Sequence, residues 1–192
     1  MTRFAFRPRP FAAETVLDLK DREIHASRAG RDTVFPLREI ATIRLFYTPR
    51  GINFSGYRAK IYSRSGKTVS FEDRSYKGLI EQERLEGSYR DFVRDLCVRS
   101  ERANPDVLLH AGRAVTMLAL IGTVATATVL LMGYFIMRAL TNGSYGLALA
   151  IAVFTGYFAL WSWAYVSRNR PQSFRAAAIP PGILPGPDAK DH

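Results

Sequence analysis

The sequence predicts an α+β domain of antiparallel strands with a C-terminal helix, followed by a two-helix transmembrane hairpin. Three observations carry this. The charge is sharply segregated: Met1 to Arg113 holds 22 basic and 15 acidic residues, while Ala114 to Val166 holds only Arg138. The first part alternates apolar and polar residues in short runs, the period of strands with one buried face. The second part contains two uncharged runs, each long enough for the roughly 20 residues that cross a hydrocarbon core.

The N-terminus, Met1 to Ala12, is basic and rich in proline and arginine. It lacks the apolar core of a secretory signal and reads as a flexible arm. The domain is then expected over residues 13–104. "TVLDLKD" alternates, "EIHAS" follows a charged turn, and "DTVFPL" is a short apolar run with Pro36 at its end, where a missing N–H is tolerated. "EIATIRLFYT" is a longer strand, broken by Pro49-Arg50-Gly51. "YRAKIYS" places Tyr57, Ala59 and Ile61 on one face and Arg58, Lys60 and Tyr62 on the other. "RSG" turns the chain and "KTVSFED" pairs back as a hairpin. The helix comes last. Tyr89, Phe92, Val93, Leu96, Cys97 and Ser100 form one stripe, and Ser88 with Asp91 reads as a capping pair. Cys97 lies on that stripe, as a small core residue.

A juxtamembrane connection over residues 105–113 leads into transmembrane helix 1 (114–137), an external loop (138–144) with the turn signal Asn142-Gly143, and transmembrane helix 2 (145–167). Arginines flank both outer ends of the hairpin and only Arg138 lies near the loop, so both termini are expected in the cytosol. Trp161, Trp163 and Tyr165 read as the cytosolic interfacial belt, with Tyr134 and Tyr145 at the other face. Ala148, Ala152 and Gly156, four apart, are expected in a close helix contact, either inside the hairpin or between copies of the chain, and Ala119, Thr123 and Ala127 have the same spacing. The hairpin holds no Asp, Glu, Lys or His, the groups that ion and proton pathways usually need. The last segment, 168–192, is expected to be a disordered cytosolic tail because of its Pro and Gly content.

With the runs "VLDLKDREIHAS", "DTVFPLREIATIRL", "YRAKIYS", "KTVSF" and "SYRDFVRDL" in this order, the chain resembles small bacterial inner-membrane proteins that pair a PH-like cytosolic domain with two transmembrane helices. Phe35-Pro36-Leu37-Arg38-Glu39-Ile40 stands where such domains carry an Ile-Pro-Leu step after an opening strand pair. Fewer than seven strands are legible, so the resemblance implies a partial barrel. It also implies a multi-pass protein of the bacterial inner (cytoplasmic) membrane, with a role in binding or assembly and no catalysis.

No catalytic motif competes with that expectation. "SGKT", Ser65 to Thr68, copies the end of a phosphate-binding loop, but Ile61 stands where the motif needs glycine and both flanks read as strands. His25, His110 and His192 have no metal spacing, and the carboxylates Glu72-Asp73 and Glu81, Glu83, Glu86 read as solvated. A lone cysteine excludes an internal disulfide and a cysteine-based zinc site. Neither metal nor cofactor is expected. The feature left over is basic: Arg44 to Phe71 carries six cations and no acid. Arg58, Lys60, Arg64 and Lys67 are expected to form an anion- or lipid-binding surface on the hairpin. The expected function is a membrane-anchored interaction or scaffold module, with a protein partner or a second copy of the chain in addition to the bilayer. The alternative is a sensor or binder of anionic lipid headgroups or another anion. A nucleic-acid partner is not expected, since no recognised module is present.

Overall fold

A computed structural model describes residues 2–48, 56–79, 81–180 and 182–186. Two units make up the chain. The first is Met1–Gly112 with Gln172–His192, and the second is Arg113–Pro171.

In the first unit, strands β1 (Thr2–Phe6), β2 (Thr15–Leu19), β3 (Glu23–Arg28) and β4 (Arg31–Pro36) form an antiparallel sheet in that order. Strand alternation sends Phe4, Phe6, Leu17, Leu19, Ile24 and Phe35 into the core. A single 3₁₀ turn, Leu37–Glu39, buries Leu37 and leads to β5 (Ile40–Tyr47). β5, β6 (Tyr57–Ser63) and β7 (Thr68–Glu72) are consecutive antiparallel neighbours in a second sheet. The expected hairpin is in place: Gly66, at φ 79°, supplies the left-handed residue of the turn, and Ser63 N–H donates to Lys67 O at 2.9 Å. The short strands β8 (Arg74–Tyr76) and β9 (Gln82–Arg84) pair with each other.

Helix α1 (Glu86–Ala103) buries Tyr89, Phe92, Val93, Leu96, Cys97 and Ser100, the stripe that the 3.6-residue period predicts. It begins earlier than Ser88. Leu85 is its N-cap, without a side-chain capping bond, and Ser88 lies inside the first turn. Burial pushes the Cys97 thiol up to about 12, so it stays protonated and unreactive. Phe4, Phe71, Tyr89 and Phe92 form the aromatic centre of the core, with ring centroids 5.4–6.1 Å apart.

Three further expectations, on the termini and the connection, are corrected in this unit. The N-terminal arm is not loose over its first residues. β1 pairs with β2 from Thr2↔Leu19 to Phe6↔Thr15, and Phe4 and Phe6 are each 2% exposed. The stretch read as a bare connection contains β10 (Leu108–Ala111), parallel to β5, with Leu109 and Ala111 buried. The tail is not disordered over its described residues. Gln172–Ser173 forms β11 against β10, Phe174 N–H donates to Leu109 O at 3.0 Å, and Arg175 pairs with Glu101. Ile183 is 1% exposed, with Ile179 and Leu184 packed on the core beside it. Apolar side chains between prolines can fill a groove without regular structure, which is why composition alone misled. The second sheet therefore runs β11-β10-β5-β6-β7.

The second unit is an antiparallel pair, α2 (Val115–Thr141) and α3 (Tyr145–Arg168), joined through Asn142, Gly143 and Ser144. Both are long and apolar enough to cross a membrane. At about 1.5 Å per residue they measure roughly 40 and 36 Å. Within one chain Ala148 is buried while Ala152 and Gly156 are exposed, and a side chain added at Gly156 would meet nothing within 4 Å. Ala119, Thr123 and Ala127 are exposed as well. The covered positions of α3 include Ala148, Ile151, Thr155, Phe158, Ala159 and Ser162. Those of α2 include Gly122, Ala125, Met132 and Ala139. These recur by threes and fours, the spacing of one helix face, whereas a strict spacing of four drifts around the helix. Trp161 and Tyr165 stack with centroids 6.0 Å apart in the last turns of α3, while Trp163, Tyr134 and Tyr145 are exposed.

Candidate anion-binding cleft

The hairpin cations divide between two places. Arg58, Lys60 and Tyr62 share the outer face of β6, as alternation requires. Lys60 Nζ lies 4.8 Å from the centroid of the Tyr62 ring, and Arg64 is exposed at the turn. Arg58 pairs with Glu72 across the strands and lies 6.0 Å from the Phe46 ring. Phe46 and Tyr47 are each 8% exposed, so neither is available for insertion into a bilayer surface, while Phe54 and the Pro49–Gly51 break lie outside the described residues.

Arg58 and Lys67 also line a cleft that local reading did not find. Its volume is about 1160 Å³, and it opens between the inner face of the first sheet and edge strand β7. Arg9, Arg28 and Arg31 join Arg58 and Lys67 in its wall, with Thr15, Thr33, Thr68, Ser70 and Tyr76 as neutral hydrogen-bonding groups. Glu72 is the sole acid in the lining among the described residues, and it pairs with Arg58. Arg9, Arg28, Arg31 and Lys67 have no acidic partner among the described residues.

Local backbone chemistry builds the cationic end. Ala29 and Gly30 connect β3 to β4 with φ of 49° and 72°, the positive pair that a two-residue hairpin loop needs. That turn sets Arg28 directly opposite Arg31. Like charges opposite one another destabilise a strand pair, and a bound anion would relieve this. The signal was present in the sequence as the Arg-Ala-Gly-Arg hairpin. Its meeting with Lys67, thirty-six residues on from Arg31, is set by the tertiary fold.

Other ionisable clusters fit a ligand less well. A depression beside α1 carries Arg22, Arg38, Arg99 and Arg102, but Asp21, Glu23 and Asp95 offset them. Arg99 is already bonded to Asp95 and Asp21 at 2.9 and 2.7 Å. No group of three or more metal-ligating side chains occurs among the described residues. His110 Nδ1 lies 3.1 Å from Ser173 Oγ, and His25 pairs with Glu23 at 2.5 Å.

Asp73 corrects the expectation of a solvated carboxylate, for it is 1% exposed. Alternation from buried Phe71 through half-exposed Glu72 pointed inward at position 73. Burial pushes its carboxyl up to about 6, against the pull of the Tyr57 backbone and the Arg74 charge. Tyr89, fully buried nearby, is raised well above its ordinary range by burial first and the Asp73 charge second. Neither residue lines the cleft. The folded domain holds the Asp73 proton more tightly than the unfolded chain, whose carboxyl titrates near 3.8. Stability is therefore lost as pH rises from about 4 to about 6, and the full cost persists above. At about 1.4 kcal/mol per pH unit the cost is on the order of 3 kcal/mol. Asp73→Asn should flatten the dependence of unfolding free energy on pH across this window; an unchanged slope by urea titration would contradict the burial account.

No family model, curated protein or solved structure matches this chain.

Proposed function

We propose that this is a multi-pass protein of the bacterial inner membrane, a non-catalytic binding module whose cytosolic domain holds an anionic partner in the cleft between its sheets. The observation that carries the reading is the cleft's charge: among the described residues, Arg9, Arg28, Arg31, Arg58 and Lys67 stand against Glu72 alone. Sequence order supports a PH-like domain. Four strands, a turn, three strands and a helix follow one another as β1–β4, β5–β7 and α1, with β8 and β9 before the helix.

Two apolar helices support membrane insertion. Strand β10 precedes the hairpin and β11 follows it, and the two pair as His110↔Ser173 and Ala111↔Gln172. Chain ends joined in one sheet must lie on one side of a bilayer. This favours two passes, and the flanking arginines favour the cytosol for both termini. The same negative charge could be offered by a lipid headgroup. Basic residues near an anionic leaflet are drawn to it by about 1 kcal/mol each.

Tripolyphosphate binding to the full chain in neutral-lipid nanodiscs tests the reading. Binding is expected at about 0.05 M salt and its loss at about 0.5 M, as the Debye length falls from over 10 Å to about 4 Å. Arg28→Gln, Arg31→Gln and Lys67→Gln together should weaken it about tenfold or more, while Lys60→Gln with Arg64→Gln should leave it unchanged. The reverse pattern would move the site to the outer strand face. Competition by nanodiscs containing anionic lipid would identify the headgroup as the source.

A further inference from the structure

The geometry points to an acidic, extended peptide segment of a protein partner as the occupant of the cleft, added as the next strand on β7. This rests on the cleft reading above. Among the described residues β7 is the last strand of its sheet, paired with β6 on one side. Its other edge borders the cleft, for Lys67, Thr68, Val69, Ser70 and Glu72 all line it. A sheet edge is a row of N–H and C=O groups prepared for pairing. In a five-residue strand about two or three residues direct both groups to that edge.

Natural edges are commonly blunted by proline, a bulge or a covering element. β7 contains no proline, and its ladder with β6 runs without a shift from Arg58↔Glu72 to Tyr62↔Thr68. Lys67 at its start is the one charge of the common protective kind. The opposite wall selects the side chains. Arg28 and Arg31 stand paired across the Ala29-Gly30 turn, with Thr33 beside them on β4. An added strand alternates its faces, so carboxylates at every second position could meet this wall together. The volume, about 1160 Å³, exceeds the roughly 300–1,000 Å³ of a small-molecule site and suits a run of several residues. Main-chain bonds would give affinity and the cations would choose acidic sequences, as in other edge-strand recognition.

The test uses the full chain in neutral phosphatidylcholine nanodiscs and three probes: a labelled dodecapeptide alternating Glu with Thr, the same peptide methylated at every peptide nitrogen, and tripolyphosphate. Fluorescence anisotropy at low salt should show the unmethylated peptide binding about tenfold or more tighter than the methylated one, since only it can donate ladder hydrogen bonds. Isotope-labelled carbonyls in the bound peptide should absorb as β-strand. Tripolyphosphate should compete, and Arg28→Gln with Arg31→Gln should weaken both peptides. Equal affinity for the two peptides, with tripolyphosphate still binding, would overturn strand addition and leave a site for charge alone, as would a headgroup-containing nanodisc that excludes both peptides. Failure of all three probes would overturn the anion cleft itself.

Discussion

A chain in which a short Gly-rich turn joins Gly112 directly to Gln172 should fold as a soluble domain, while a chain ending at Gly112 should be severely destabilised. β10 and β11 already pair at Ala111↔Gln172, so replacing the apolar helices by a turn closes an existing antiparallel hairpin. The truncated chain loses β11, the Phe174 N–H bond to Leu109 O and the Ile183 side chain, which is 1% exposed. Emptying one buried isoleucine site typically costs about 2–5 kcal/mol. A small domain has only about 5–15 kcal/mol in total. Urea denaturation of the joined and truncated chains gives the comparison, and equal midpoints would show that the returning segment does not stabilise the core.

Phe4→Ala in the joined domain should cost about 3–5 kcal/mol, the usual range for removing a buried aromatic. Phe4 touches four rings, those of Phe6, Phe71, Tyr89 and Phe92, at centroid distances of 5.6–6.1 Å. It is the point where β1, β7 and α1 meet. Repacking could recover part of the loss, but full recovery would need large movements of neighbouring rings. A variant within about 0.5 kcal/mol of the parent, the spread of ordinary surface substitutions, would mean that the N-terminal strand is not part of the core.

Legibility in the sequence followed the range of the interactions. β2 to β7 and the buried stripe of α1 declare themselves through alternation and helical period, which are local. β1 carried the same signal, since Thr2, Phe4 and Phe6 alternate with Arg3 and Ala5, but a proline- and arginine-rich neighbourhood hid it. β10 could not be read locally. Its parallel pairing places Leu109 beside Ile43, across more than sixty residues, and its apolar character merged with the run entering α2. In the hairpin, length and hydropathy marked the helices, while the packed face depended on how the two helices meet. Gly156 therefore lies off the seam that includes Ala148.

The cleft shows the same division. Lys67 and Arg58 were visible as cations on a predicted hairpin, yet the side of the sheet on which Lys67 acts depends on a second sheet. Arg28 and Arg31 were scattered charges until the Ala29-Gly30 turn set them face to face.

The most direct test of the account is a map of amide chemical shifts in the joined, soluble domain as tripolyphosphate is added at low salt. The account predicts perturbations concentrated on the Arg28–Arg31 turn and on Lys67 to Ser70, the two walls of the cleft. Shifts confined to the outer face of β6, at Lys60 and Tyr62, or a spectrum indifferent to the anion, would contradict it.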